Sequence, residues 1–214
     1  MTQAVTLNWI TPDAEQVLVD DARISNPGSE GKPPHTLIGY LIRNQHWSPF
    51  EMVNMSVKID TTRDIGRQLL RHWTIRPQEF SQRYADIRVI AEAGVIREAR
   101  MQHPTNRQSA IPCDDPEVEK WWRDAQYNLW QHAIGIYGQA LEKGIAKEVA
   151  RVVMPEGMTP TVMKFNGNLR SWIHFFKLRS GHGTQSEATQ IANQIGDLLR
   201  EHFPETAKAV EEMA

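Results

Sequence analysis

The chain has 214 residues, 40% hydrophobic and 23% charged, which is ordinary for a soluble globular protein and enough for one domain, residues 1–214, with a sizeable core. A formal net charge of −2 excludes a general nucleic-acid coat, which carries a basic excess, so any phosphate binding has to be local. No apolar run approaches the length of a membrane span and the N-terminus has no signal-peptide core, so a cytoplasmic protein without a membrane partner is expected. The single cysteine, Cys113, excludes an intrachain disulfide and a cysteine metal cluster. Asp114 and Asp115 crowd it with negative charge, so it is not expected to act as a nucleophile.

Ala4 to Ile10 alternates weakly and stops at Thr11-Pro12, which predicts a strand. A short helix is expected over 12–22, then a polar, glycine-bearing loop over 23–31. Leu37, Ile38, Leu41 and Ile42 share one side of a helix over 34–44. The stretch from His46 to Glu51 reads as a tight turn. Val53, Met55, Val57 and Ile59 then alternate with polar residues, as in a half-buried strand. In the next segment Thr61 or Thr62 can cap a helix whose Ile65, Leu69 and Leu70 face a core. Arg63, Arg67 and Arg71 fall on one side of it; Gln68, Arg71 and His72 share a neighbouring side. Pro77 cannot continue a helix, so the end is expected near 73–75, before an irregular stretch carrying Gln78, Glu79, Ser81, Arg83 and Tyr84. A cationic helix end followed by a polar loop is a candidate anion site, because arginine donates bidentately and Ser and backbone N–H groups add donors.

No clear pattern follows to about residue 95. The stretch 101–109 is a polar loop in which His103 has no partner at metal-ligand spacing, so no metal site is expected. Asp115-Pro116 is a good N-cap and first-turn pair. Val118, Trp122, Ala125, Leu129, Ala133, Ile136 and Ala140 mark a long helix stopping at Gly144, with its aromatics expected in a core or a subunit contact. A helix over 145–153 ends at Pro155, and a strand follows over 159–165. Asn168 caps a helix to about Arg179, with Leu169, Trp172, Ile173, Phe176 and Leu178 as its apolar residues. The last helix runs over 184–202, with Ala188, Ile191, Ala192, Ile195, Leu198 and Leu199 inward. The glycines at 26–31 and 181–183 do not make G-x-G-x-x-G between a strand and a helix, so a Rossmann fold is not expected.

The central segment resembles the R-H-R-x-x-S-x-N-E-x-S-x-R-Y motif of the flavin-dependent thymidylate synthases (ThyX). Arg71, His72, Glu79, Ser81, Arg83 and Tyr84 match in register; Trp73, Arg76 and Gln78 replace Arg, Ser and Asn. Further blocks follow the family's order. Ala22-Arg23-Ile24-Ser25 resembles A-R-x-S. His46-Trp-Ser48-Pro-Phe-Glu51 resembles H-x-T/S-P-F-E-H, with Met52 at the last position. Glu148-Val-Ala-Arg151 to Pro155 resembles E-V-A-R-x-x-L-P. Asn168-Leu-Arg170-Ser171 resembles N-x-R-S, with His174 in place of a later Asn. Arg179 to Glu187 resembles L-R-x-x-x-x-A-Q-x-E, with Thr184 for the Ala, and His182 lies one residue from a position where some relatives place a flavin contact.

The resemblance implies an α+β fold, a small mostly antiparallel sheet packed with several helices. It implies reductive methylation of dUMP at C5 without a cysteine nucleophile. Methylenetetrahydrofolate would supply the carbon, and FAD reduced by NADPH the hydride. Gln68, Arg71, Glu79, Ser81, Gln82, Arg83, Arg151 and Arg179 would hold the nucleotide. Arg179 would be the catalytic cation beside the uracil, because guanidinium stabilises negative charge but cannot serve as a base near neutral pH. Ser25, His46, Ser48, Glu51, Arg71, His72, Trp73, Glu79, Asn168, Arg170 and His174 would line the flavin site. Homotetramers with shared sites are implied. Three rival readings are a C5-methylase acting on UMP or another pyrimidine nucleotide, a nucleotide-binding homologue without flavin chemistry, and an arginine-mediated nucleic-acid-binding module, which the acidic balance disfavours.

Overall fold

A computed structural model describes residues 3–25, 33–91, 93–181 and 183–213. Most of the expected polar loop over 23–31, and His182, lie outside them. The main sheet has four strands, β1 (Ala4–Ile10), β2 (Asn54–Thr62), β3 (Arg76–Glu79) and β6 (Pro160–Asn168), in the order β1-β2-β6-β3. Every pairing in it is antiparallel. β2 and β6 run side by side from Asn54 opposite Asn168 to Thr62 opposite Pro160. The period-two pattern decides which face is buried. Met55, Val57 and Ile59 of β2 and Met163 and Phe165 of β6 are closed off from water, while Lys164 and Asn166 on the other face are exposed.

Helices wall the buried face: α1 (Ala14–Ile24), α2 (Pro34–Arg43), α6 (Leu169–Arg179), α7 (Ser186–His202) and α8 (Pro204–Glu211). Their apolar residues, among them Leu18, Ile38, Trp172, Ile191 and Phe203, form one core with the sheet. Trp172 also spends its only polar group there, donating from Nε1 to the Met55 carbonyl at 2.9 Å. Asn168 caps α6 as expected, its Oδ1 accepting from Ser171 N at 2.9 Å. A smaller core lies under α4 (Pro116–Glu142), where Trp130 and Tyr137 meet Ile87, Ala150 and Met158. Asp115 Oδ1 caps α4 through Glu117 N and Val118 N, and Gly144, at φ +81°, permits the left-handed turn after it.

Several expectations need correction. The central helix α3 (Arg63–Leu69) stops short of 73–75. Tight turns replace it, with Arg71 N bonded to the Gln68 carbonyl and His72 N to the Leu69 carbonyl. Pro77 marks where a helix cannot go, and the chain leaves the helix before it. The stretch 76–79 is an edge strand, where proline's missing N–H can face away from the ladder. The helix expected over 145–153 is one α-turn, α5 (Lys147–Ala150), tightening to a 3₁₀ turn over Arg151–Val153. The polar loop 101–109 is the tip of a hairpin of β4 (Arg100–Gln102) and β5 (Ala110–Pro112). α4 is rotated from the expected face: Trp130, Ala133 and Tyr137 point inward, and Leu129 is 53% exposed. Leu178 is likewise exposed, with Phe175 in the core instead. α8 had no counterpart in the expected elements; its signal is Pro204 at the first turn, with Ala207 and Val210 at core spacing.

α6 and α7 meet closely where Gly196 faces Phe176: a Cβ there would stand 2.6 Å from Cε2 of the ring. Gly196→Ala is expected to destabilise the protein by about 1–3 kcal/mol through overpacking. Urea denaturation checks this, and an unchanged midpoint would mean that the seam yields freely.

Candidate active site

α3 carries most of the candidate residues, so its two ends set the site. At its start Arg97 clamps Asp64 with bonds of 2.7 and 2.9 Å and also donates to the Thr62 hydroxyl, which donates to Asp64. Burial by itself would raise the Asp64 carboxyl, but the Arg97 and Thr62 hydrogen bonds carry it below its usual range. Along α3, Arg63 and Arg67 both turn to Glu79 on β3, at 3.2 and 3.7 Å, and Thr161 donates to the same carboxylate at 3.0 Å. At its end Gln68 donates to Gln185 at 2.7 Å, and Gln185 to Glu187, which also pairs with Arg100.

Arg179, at the last position of α6, reaches back to this end. Its Nη2 donates to the Gln68 carbonyl at 3.0 Å and its Nε to His72 Nε2 at 2.9 Å. Burial, then the nearby Arg71, lowers the Arg179 guanidinium from its usual range, though arginine stays a cation at neutral pH. His72 is 7% exposed, edge-on to Phe175 at 4.8 Å and to His174 at 6.3 Å. Burial first, then Arg179 and His174, push its pKa down to about 4.

These groups open onto a cleft of about 980 Å³ between the α3 end and the outer face of α6. Glu51, Arg71, His72, Trp73, Asn168, Arg170, His174 and Arg179 of the sequence-derived set all line it. Glu51 and Arg170 are ion-paired across its rim. Ser25, His46, Ser48 and Glu79 do not line it. Ser25 caps the end of α1 through the Ala22 carbonyl, His46 packs edge-on against Tyr40, Ser48 opens a 3₁₀ turn, and Glu79 is held by Arg63. A second cluster sits apart from the cleft lining: Arg83 pairs with Glu148 at 3.0 Å, and Arg151 Nε donates to the Glu148 carbonyl at 3.2 Å. Ser81 starts the turn that carries Arg83, and Gln82 there is buried with no hydrogen-bond partner for its Nε2 among the described residues. Cys113 lies in neither group; its Sγ is 3.7 Å from the Asp115 carbonyl.

Sequence reasoning missed Lys177, Trp47 and Gln45 in the cleft lining. Lys177 was within reach: Arg170, His174 and Lys177 recur at helical spacing on one face of α6. Gln45 carries a φ of +57°, a backbone state that side-chain pattern does not reveal.

The cleft suits a flavin on the evidence of its own lining. Trp47, Trp73, Ile173 and Leu178 offer apolar and aromatic walls for a flat ring, and Arg71 and Lys177 offer cations for phosphates with no ion pair of their own among the described residues. A small antiparallel sheet backed by helices, with an arginine-bearing aromatic cleft beside them, defines an α+β protein with a cationic cleft. The comparisons narrow the class. The family model described as thymidylate synthase complementing protein matches residues 6–205. A probable flavin-dependent thymidylate synthase of Paramecium bursaria Chlorella virus 1 is 39% identical over 200 residues, covering 92% of this chain and 91% of that protein. The flavin-dependent thymidylate synthase of Synechocystis sp. is 41% identical over 190 residues, covering 89% and 86%. The crystal structure of the UMP/dUMP methylase PolB from Streptomyces cacaoi bound with 5-Br dUMP superposes with a TM-score of 0.86 at 26% identity, covering 98% of this chain and 95% of that one. The same methylase bound with 5-Br UMP gives 0.87 at 25% identity. The chain belongs to the flavin-dependent thymidylate synthase family.

The low pKa of His72 has a consequence for stability. The folded protein binds the His72 proton more weakly than the unfolded chain does, so this site's contribution is complete above its ordinary value of 6.5 and is lost as pH falls from there toward about 4. Denaturant titrations at pH 7.5 and 5.0 are expected to show a smaller loss of stability for His72→Gln than for the wild type. Equal losses would place the acid sensitivity elsewhere.

Proposed function

We propose that this chain methylates dUMP at C5 to give dTMP, taking the carbon from methylenetetrahydrofolate. The flavin, FAD reduced by NADPH, supplies the hydride when bound. The observation that carries the reading is Arg179, a partly buried cation tethered to the end of α3 and lining the cleft. Its role is to polarise the pyrimidine and stabilise negative charge developing on the ring. Arg71, Lys177 and Arg170 hold anionic parts of the cofactor, with His72, His174, Asn168 and Glu51 around it. Trp73 replaces a family arginine with an aromatic wall. Chemistry at the carbon requires no cysteine in this reading, in keeping with Cys113 lying outside both clusters.

Arg83 and Arg151, with Ser81 and Gln82, are assigned to the nucleotide phosphate. They do not share a cleft with Arg179, Gln68 and Arg71 in one chain. We read this as a site completed between copies, with Arg83 and Arg151 of one chain serving Arg179 of another in a homotetramer. The exposed Trp121, Trp122 and Leu129 of α4, with Val149 and Val152, supply apolar surface for such contacts. Ser25, His46 and Ser48 belong to the flavin side of such a shared site. The whole of residues 1–214 is one catalytic domain in this reading. No described helix is long and apolar enough to cross a membrane, and the protein is assigned to the cytoplasm.

A second reading, activity on UMP, is favoured by the likeness to the UMP/dUMP methylase. Incubation with FAD, NADPH, methylenetetrahydrofolate and either nucleotide separates the two. dTMP from dUMP alone is expected. Product mainly from UMP would support the second reading, and no product with a colourless protein would mean that Trp73 and His174 have abolished flavin chemistry. Arg179→Ala is expected to cut kcat by roughly 10²- to 10³-fold with flavin still bound; normal turnover would remove Arg179 from the site. Trp73→Arg is expected to hold or tighten FAD, read from the visible spectrum after gel filtration. Loss of colour would mark the tryptophan as an adapted ring contact.

A further inference from the structure

We infer that His72 is a positioning residue for Arg179, holding the guanidinium through a bare Nε2 nitrogen so that its far end is presented to the substrate. The inference rests on the reading of Arg179 as the cation that acts on the pyrimidine. A long arginine side chain has many rotamers, and a single acceptor would leave its plane free to turn. Here Nε and Nη2, which form one edge of the guanidinium, are both engaged, Nε by His72 and Nη2 by the Gln68 carbonyl. Two acceptors on one edge fix both the position and the plane of the group. Nη1, at the opposite end, has no hydrogen-bond partner among the described residues, and Arg179 lines the cleft.

The acceptors are themselves fixed. Gln68 sits in the last turn of α3, and its side chain is tied to Gln185. His72 is pinned by its own backbone, with its N–H on the Leu69 carbonyl and its C=O on Ile75 N, and by the edge of Phe175. Arginine donates only, so the His72 nitrogen that receives it must be unprotonated, and the ring proton of the neutral form sits on Nδ1. The groups around His72 enforce that state. Arg179 faces it directly, His174 stands on the neighbouring face of α6, and Arg71 lies beside Arg179, so an added proton on the ring would meet cationic neighbours. The arrangement therefore does two things. It keeps His72 an acceptor throughout the neutral range, and it fixes a partly buried cation at the wall of the cleft.

His72 also lines the cleft read as the flavin site, and the tests separate its hold on Arg179 from a contact to flavin. [¹⁵N]Histidine NMR at pH 7 is expected to report His72 as the Nδ1–H tautomer; an Nε2–H tautomer would overturn the inference. Glutamine places its Oε1 about where Nε2 sits, whereas asparagine reaches only about as far as Nδ1. At saturating FAD, His72→Asn and His72→Phe are expected to lower kcat roughly tenfold to hundredfold, the range for one hydrogen bond to a charged group, and His72→Gln to lower it less than either, with little change in KM for the nucleotide. Equal losses in His72→Gln and His72→Asn would overturn the inference. In the Arg179→Ala background His72→Phe is expected to cost nothing further, because residues acting through one group are not additive. The same fold-loss in both backgrounds would assign His72 to the flavin instead. Full turnover in Arg179→Ala alone would remove the reading of Arg179, and this inference with it, a result distinct from either other failure.

Discussion

The tether from Arg179 to the end of α3 is the interaction on which the site depends. It joins the last residue of one helix to the terminal turn of another and uses both donors of one guanidinium edge. The Gln68 carbonyl, at the end of α3, accepts from Arg71 N as well as from Arg179 Nη2. The contact partly shields the cation from water and places it at the wall of the cleft. One pair of hydrogen bonds thus ties two helix ends together and positions the local charge.

A chain of polar groups supports this point from the other side. Gln68, Gln185 and Glu187 connect α3 to the start of α7, and Arg97 and Arg100 pair with Glu187. Arg97 also holds Asp64 at the start of α3. Partly buried ions of this kind are tolerated because each is matched by hydrogen bonds. Both ends of α3 are therefore anchored by arginines from other elements, which suits a seven-residue helix that has little stability of its own.

The remaining arginines are divided by use. Arg63, Arg67, Arg83 and Arg170 are all paired with carboxylates, whereas Arg71 and Lys177 stand at the cleft without an ion pair among the described residues. Glu148 lies between Arg83 and Arg151, pairing with the first through its carboxylate and accepting from the second at its carbonyl. An exposed pair of this sort contributes little stability. Of the departures from the family pattern, Trp73 and His174 line the cleft, whereas Met52, Arg76, Gln78 and Thr184 do not.

Local pattern was enough for much of this. Alternation at Val53 to Ile59 decided a strand and its buried face, Asp115-Pro116 and Asn168 decided two helix starts, and the ordered blocks around Arg71, Arg151 and Arg179 decided the family. These features depend on neighbours in the chain, which sequence displays. The early end of α3, the strand at 76–79, the rotation of α4 and the separation of Arg83 and Arg151 from Arg179 depend on partners far away in sequence. A helix-length apolar stripe is compatible with several rotations, and an arginine-rich segment with several pairings. The carboxylates, carbonyls and rings brought up by β6, α6 and α7 select among them, because a buried polar group is stable only where its partner stands. Composition and order thus determined the fold class and the family, and the tertiary structure alone decided which cations are spent on structure and which face the cleft.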